Sequence, residues 1–195
     1  ESAAELQSVD NQVAKLESDQ DMEPGAIDIV PIIETAKGLA AVSDIAGCGS
    51  RVRRLSFGAV DFAKDMGMRL TLDEWELTPA RAAIALASRV ARLDAPLDTV
   101  GVHYRDKVGL KESAGRVRDL GFQGKFCIHP GQVAVVNEAF TPSGEEVAKA
   151  ENIIAAFEEA EAAGSASIIV DGFFVDYPVV DQARRTLELV KMIGG

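Results

Sequence analysis

Ile27-Asp-Ile-Val-Pro-Ile-Ile33 followed by Glu34, and Leu55-Ser-Phe-Gly-Ala-Val60 followed by Asp61, decide the fold. Each is a short apolar run that gives way, at an acidic residue, to a helix-like segment. A strand that ends in a carboxylate and feeds a helix is the unit of a parallel α/β protein, whose active sites form at the carboxyl edge of the sheet. Two hard oxygen donors at neighbouring strand ends suit a divalent cation such as Mg²⁺. The chain therefore reads as a metal-assisted enzyme, with Glu34 and Asp61 as candidate ligands and the small Gly58 and Ala59 leaving backbone open to a bound molecule. Taken alone, each carboxylate could instead cap the helix after it, or belong to a solvated acidic rim.

Working outward, Ser2 and Glu5 stand in capping-box spacing before Leu6, Val9, Val13 and Leu16, an amphipathic helix. Thr35 to Ala46 fits a helix ended by Gly47 and Gly49, and the stretch from Asp61 through Gly67 to Trp75 reads as loop. Thr78 with Pro79 predicts the N-cap and first turn of a helix to about Leu93. Asp98 to His103 is a third strand, Val108 to Leu120 a helix, and Gly124 to Ile128 a fourth strand. Strands that are apolar throughout and alternate with helices predict a parallel sheet buried on both faces. Ser143 and Glu146 form a second capping box opening a helix to about Ala163, and Asp171-Gly172 predicts a two-residue hairpin turn before a terminal helix from about Pro178 to Met192.

With 20 basic against 31 acidic residues the net charge is −11, a field that repels nucleic acid. A bound metal would reconcile such a chain with a small anionic substrate. No apolar stretch approaches a membrane span and the N-terminus lacks signal-peptide order, so the expectation is a cytoplasmic protein with neither nucleic-acid nor membrane partners. Cys48 and Cys127 are expected as buried, reduced thiols.

Other motifs carry less. Arg51, Arg53 and Arg54 suggest an anion site but precede their strand, which puts them on the amino-terminal face, away from Glu34 and Asp61. Gly47-Cys48-Gly49 follows a helix where a nucleotide loop follows a strand. His129 could act as a general base, yet a histidine fixed under the Pro130 turn is the plainer reading. Asp176, read alone, is a helix cap.

Pro31-Ile-Ile-Glu-Thr-Ala-Lys-Gly38, Leu55-Ser-Phe-Gly-Ala-Val-Asp-Phe62, Gly124-Lys-Phe-Cys-Ile-His-Pro130 and Val170-Asp-Gly-Phe-Phe-Val-Asp-Tyr-Pro178 resemble, in this order, the citrate lyase β-subunit-like enzymes of the HpcH/HpaI aldolase superfamily. The resemblance implies a (β/α)8 TIM barrel that binds Mg²⁺ and cleaves or forms carbon–carbon bonds of citryl, malyl or citramalyl groups carried on coenzyme A or acyl carrier protein. It implies that Glu34 and Asp61 hold the metal and that Gly58, Ala59 and Val60 line the substrate. It also implies that Asp176 is an acid/base group lent to the active site of a neighbouring subunit, and hence a homo-oligomer, a trimer or hexamer. Relatives often carry an acid at the position of Val60.

The family's early acidic motif, its Arg-Val-Asn-like strand and its Pro-Lys strand have no counterpart here, so the chain resembles the C-terminal two-thirds of such an enzyme. Residues 1–140 are expected as a partial barrel of four βα units and 141–195 as a helix-hairpin-helix segment packed on the barrel or on a neighbouring subunit. A whole barrel takes about 250 residues, and a fragment of a longer protein is the favoured expectation. The functional expectation is a Mg²⁺-dependent lyase yielding an oxo acid and an acyl thioester. The alternatives are a class II aldolase for 4-hydroxy-2-oxo acids and a non-catalytic relative.

Overall fold

The computed structural model describes residues 1–49 and 51–194, in two compact units, Glu1–Phe140 and Thr141–Gly195. In the first unit, β1 (Ile32–Ile33), β2 (Ser56–Phe57), β3 (Leu97–Asp98) and β4 (Gly124–Lys125) form a four-stranded parallel sheet in that order. A chain that pairs parallel must cross back between strands, and helices do so here. The helices are α1 (Ala3–Asp19), α2 (Ala36–Ala40), α3 (Val42–Ala46), α4 (Ala59–Asp65), α5 (Thr78–Val90), α6 (Lys107–Asp119) and α7 (Pro130–Phe140).

Register puts Ile33, Phe57, Asp98 and Lys125 in one row and Ile32, Ser56, Leu97 and Gly124 in the next. The first row faces the helices. Ile33 and Phe57 join Ile45, Leu55, Phe62, Leu77 and Ile84 in the main core, and Arg81 of α5 reaches Asp98 through Nε and Nη2, each at 3.0 Å. Lys125 also meets Asp98 Oδ2. Glu74 accepts from Arg81 Nη2 at 2.9 Å and from Ser113 Oγ at 2.8 Å. Burial opposes the charge on Arg81, but the Asp98 and Glu74 carboxylates outweigh it and hold its pKa above the ordinary arginine value.

The structure corrects several expectations. The strands are shorter than the apolar runs, and they are not buried throughout: Val30 is 40% and Ile32 54% exposed. The physical reason is that Ile32 stands on the edge strand, in the row turned away from the helices, whereas Ser56 in the same row lies within the sheet and is buried. The helix expected over Thr35 to Ala46 breaks at Ala41, and α4 occupies part of the stretch expected as loop. Thr78 lies inside α5, whose N-cap is Leu77 at the end of a 3-10 turn over Trp75–Leu77. Cys48 and Cys127 are free but half-buried. Burial raises the Cys127 pKa.

The second unit contains α8 (Gly144–Ala162), the antiparallel hairpin β5 (Ile168–Val170) and β6 (Phe173–Val175), and α9 (Tyr177–Gly194). The capping box at Ser143 and Glu146 forms with both hydrogen bonds. Asp171 and Gly172 turn the hairpin with φ of 51° and 78°, the pair of positive values that a two-residue turn of this kind demands. A small core of Ala150, Ile153, Phe157, Val175, Val180 and Ala183 holds the unit together.

Candidate metal site at the carboxyl edge of the sheet

Glu34 follows β1 and Gly58 follows β2, so parallel pairing sets them side by side. The Gly58 amide donates to the Ile33 carbonyl at 2.9 Å. A Cβ on Gly58 would meet Glu34 Cβ at 2.7 Å and Glu34 Oε2 at 2.9 Å. Glycine is thus what lets the Glu34 side chain lie across the exit of β2. Gly58 is also the N-cap of α4, and Asp61 stands in that helix's first turn.

One residue on, Phe62 packs edge-to-face on Phe57, ring centroids 5.4 Å apart. This turns the apolar side of α4 into the core and leaves Asp61 exposed and Glu34 half-buried. Neither carboxylate has a hydrogen-bond or ion-pair partner among the described residues, so their oxygens are open to a cation. No group of three or more His, Cys, Asp or Glu side chains suited to a metal is gathered among the described residues. Two carboxylates fit Mg²⁺ all the same, since that ion dehydrates reluctantly and usually takes one or two protein carboxylates beside water and substrate oxygens.

A cavity of about 360 Å³ opens beside Ala59 and Val60 and runs between Leu70, Leu72 and Leu77 on one side and Thr99 to His103 and the start of α6 on the other. Asp106 caps α6 by accepting from the Gly109 amide at 2.9 Å. Across the next strand exits, the buried Gln132 donates to the Gly101 carbonyl at 2.7 Å and accepts from the Ile128 amide at 2.9 Å. His129 Nδ1 accepts from the Gly131 amide at 3.0 Å and its ring lies 5.4 Å from Tyr104. The imidazole is therefore held by its own turn.

Sequence reasoning missed Thr99, Asp65 and Gln132. Thr99 Oγ1 accepts from the Ala59 amide at 3.2 Å and Asp65 Oδ2 from the Ala36 amide at 2.7 Å. A signal was available for Asp65, four residues after Asp61 on one helical face.

The three arginines are structural. Arg51 grips both Glu17 oxygens at 2.6 Å and also reaches Asp10, Arg53 pairs with Asp28 at 2.9 Å and Arg54 with Asp94 at 3.2 Å. Hydrogen bonds from Arg51 and from the Gly25 and Ile27 amides hold the Glu17 carboxyl down to about 2. In the second unit Asp176 is half-buried between β6 and α9, and its carbonyl accepts the Val180 amide at 3.0 Å. Among the described residues its carboxylate has no partner. Phe173, Phe174 and Tyr177 beside it are exposed.

Among the described residues no helix is long and apolar enough to cross a membrane. The chain is 33% identical to the citrate lyase subunit β of Leuconostoc mesenteroides over 97% of its own length and 62% of that protein's. It is 35% identical to an L-malyl-CoA/β-methylmalyl-CoA lyase of Cereibacter sphaeroides, over 98% of this chain and 65% of the relative. It thus spans a little under two thirds of the length of these relatives. Among solved structures, CitE of Mycobacterium tuberculosis in complex with magnesium, acetoacetate and coenzyme A superposes with a TM-score of 0.74 at 28% identity, over 84% of this chain and 61% of that one. The profile of one family matches residues 1–130, and the chain accordingly belongs to the HpcH/HpaI aldolase/citrate lyase family.

Proposed function

We propose that Glu34 and Asp61 hold one Mg²⁺ and that the protein is a carbon–carbon lyase cleaving a 3-hydroxyacyl thioester, of the citryl, malyl or citramalyl type, to an oxo acid and an acyl thioester. The observation that carries this reading is that the carboxylates of Glu34 and Asp61, at neighbouring strand exits, have no partner among the described residues, with the Glu34 side chain lying against Gly58. The names of the relatives, two lyases of this class, and the magnesium and coenzyme A bound in the M. tuberculosis structure support it.

Bound there, Mg²⁺ would supply a Lewis acid toward the oxygens of the oxo-acid portion of the substrate. Glu34 and Asp61 fix that position, and the backbone of Gly58, Ala59 and Val60 lines the substrate beside it. Asp176 takes the hydroxyl proton as the carbon–carbon bond breaks. The bonding electrons pass to the carbon α to the thioester carbonyl as an enolate, which takes up a proton to give the acyl thioester, and the hydroxyl carbon becomes the oxo carbon. The cavity beyond Val60 receives the apolar part of the thioester.

In this reading the four-stranded sheet is an arc of a (β/α)8 barrel, and 141–195 packs on the barrel or on a neighbouring subunit of a cytoplasmic homo-oligomer. The exposed Phe173, Phe174 and Tyr177 around Asp176 suit such a packing surface. The test is an assay against malyl-, citramalyl- and citryl-CoA with and without Mg²⁺, repeated with Asp61→Asn. Metal-dependent release of an oxo acid that the variant loses is expected. Full activity in Asp61→Asn would sink the assignment.

A further inference from the structure

We infer that Thr99 and Asp65 are positioning residues for the metal-binding pair, pinning α4 at its two ends and so fixing Asp61 relative to the segment that carries Glu34. This rests on the reading of Glu34 and Asp61 as Mg²⁺ ligands. α4 has seven residues, whereas an isolated helix needs about 12–15 to be even marginal in water. Its position must therefore come from outside it.

At its start, Gly58 makes no side-chain cap to the first-turn amides. The neighbouring strand exit supplies the missing acceptor, because Thr99 Oγ1, 6% exposed with its residue, takes the Ala59 amide at 3.2 Å. At its end, Asp65 Oδ2 takes the Ala36 amide, two residues beyond Glu34, at 2.7 Å. Asp61 and Asp65 are four residues apart and share a helical face. The face that Asp65 turns toward the exit of β1 is thus the face that carries Asp61. Phe62, about 100° around the helix from Asp61, packs on Phe57. The two anchors reach in different directions, to β3 and to the segment after β1, and act on the metal through the backbone alone.

The experiment is Mg²⁺ titration by calorimetry on the intact protein, below the unfolding temperature of every variant. Thr99→Val and Asp65→Ala should each weaken Mg²⁺ affinity about tenfold or more, the usual effect of removing groups that orient ligands. Thr99→Ser and Asp65→Asn keep an oxygen acceptor and should stay within about threefold of the parent on the same scale. Ile84→Val, in the buried core, should lower the melting temperature and leave affinity unchanged. Asp61→Asn should abolish binding, and if it does not, the metal reading itself fails. Loss in Asp61→Asn with parental affinity in Thr99→Val and Asp65→Ala overturns the positioning role alone. Loss in Asp65→Asn as complete as in Asp61→Asn would make Asp65 a ligand and overturn its role too.

Discussion

Gly58 and Glu34 touch so closely that a methyl group at position 58 would stand 2.7 Å from the Glu34 Cβ, nearer than carbon atoms come without displacement. Gly58 has φ of −105°, a value any residue adopts, so a substitution there tests the contact and not the backbone. Gly58→Ala should shift Glu34 and reduce Mg²⁺ affinity by about tenfold or more, read by calorimetry. A variant that binds the metal as the parent does would remove Glu34 from the site.

Asp176 and the Glu34–Asp61 pair lie in different compact units, and on the proposed function a proton acceptor lent between subunits would give a clear kinetic signature. Asp176→Asn should lower kcat by about 100-fold or more while leaving Mg²⁺ affinity in place, within the range expected for a lost general base. Mixing Asp61→Asn with Asp176→Asn protein should then raise turnover above the sum of the two alone in mixed oligomers. A mixture as silent as its parts argues that each chain uses its own Asp176.

The buried network of Arg81, Asp98, Lys125 and Glu74 makes a different prediction. Arg81 and Asp98 are 2% and 0% exposed, so removing Arg81 leaves the buried network one positive charge short, with Asp98 held by Lys125 alone. Arg81→Met should cost about 3–5 kcal/mol, the scale for breaking a buried ion pair from one side. Urea unfolding measures it, and a loss under about 1 kcal/mol would mean that Lys125 alone balances Asp98.

Acid should loosen the Arg51 clamp. Glu17 is held down to about 2 from an ordinary 4.5, so the folded state binds this proton less readily than the unfolded chain does. Its contribution is present above pH 4.5 and fades as the pH falls toward 2. Melting temperatures of the parent and of Glu17→Gln should therefore differ near neutrality and converge across that window. Parallel curves would show that Asp10, the other partner of Arg51, carries the clamp.

The carboxyl edge was legible in the sequence because its signals are local. The runs before Glu34 and Asp61 are apolar and end in a charge, and Ser143–Glu146 and Asp171-Gly172 each complete their geometry within four residues. What escaped depends on distant partners. No glycine or proline marks the break of the second helix at Ala41, and α4 is too short to show a period, being held by Thr99, 40 residues away in sequence from Ala59. Gln132 joins a carbonyl 31 residues upstream. Ile32 and Val30 read as core because apolar character does not say which face of a sheet is covered.

The Arg51–Glu17 clamp sits where the chain enters β2, and the carboxylate pair sits where the chain leaves it. On the proposed function, acid tolerance and turnover would therefore be governed from opposite ends of the same strand, so a protein engineer could rebuild one while leaving the other alone. A variant library confined to residues 10, 17 and 51 would explore survival at low pH with Glu34 and Asp61 held constant.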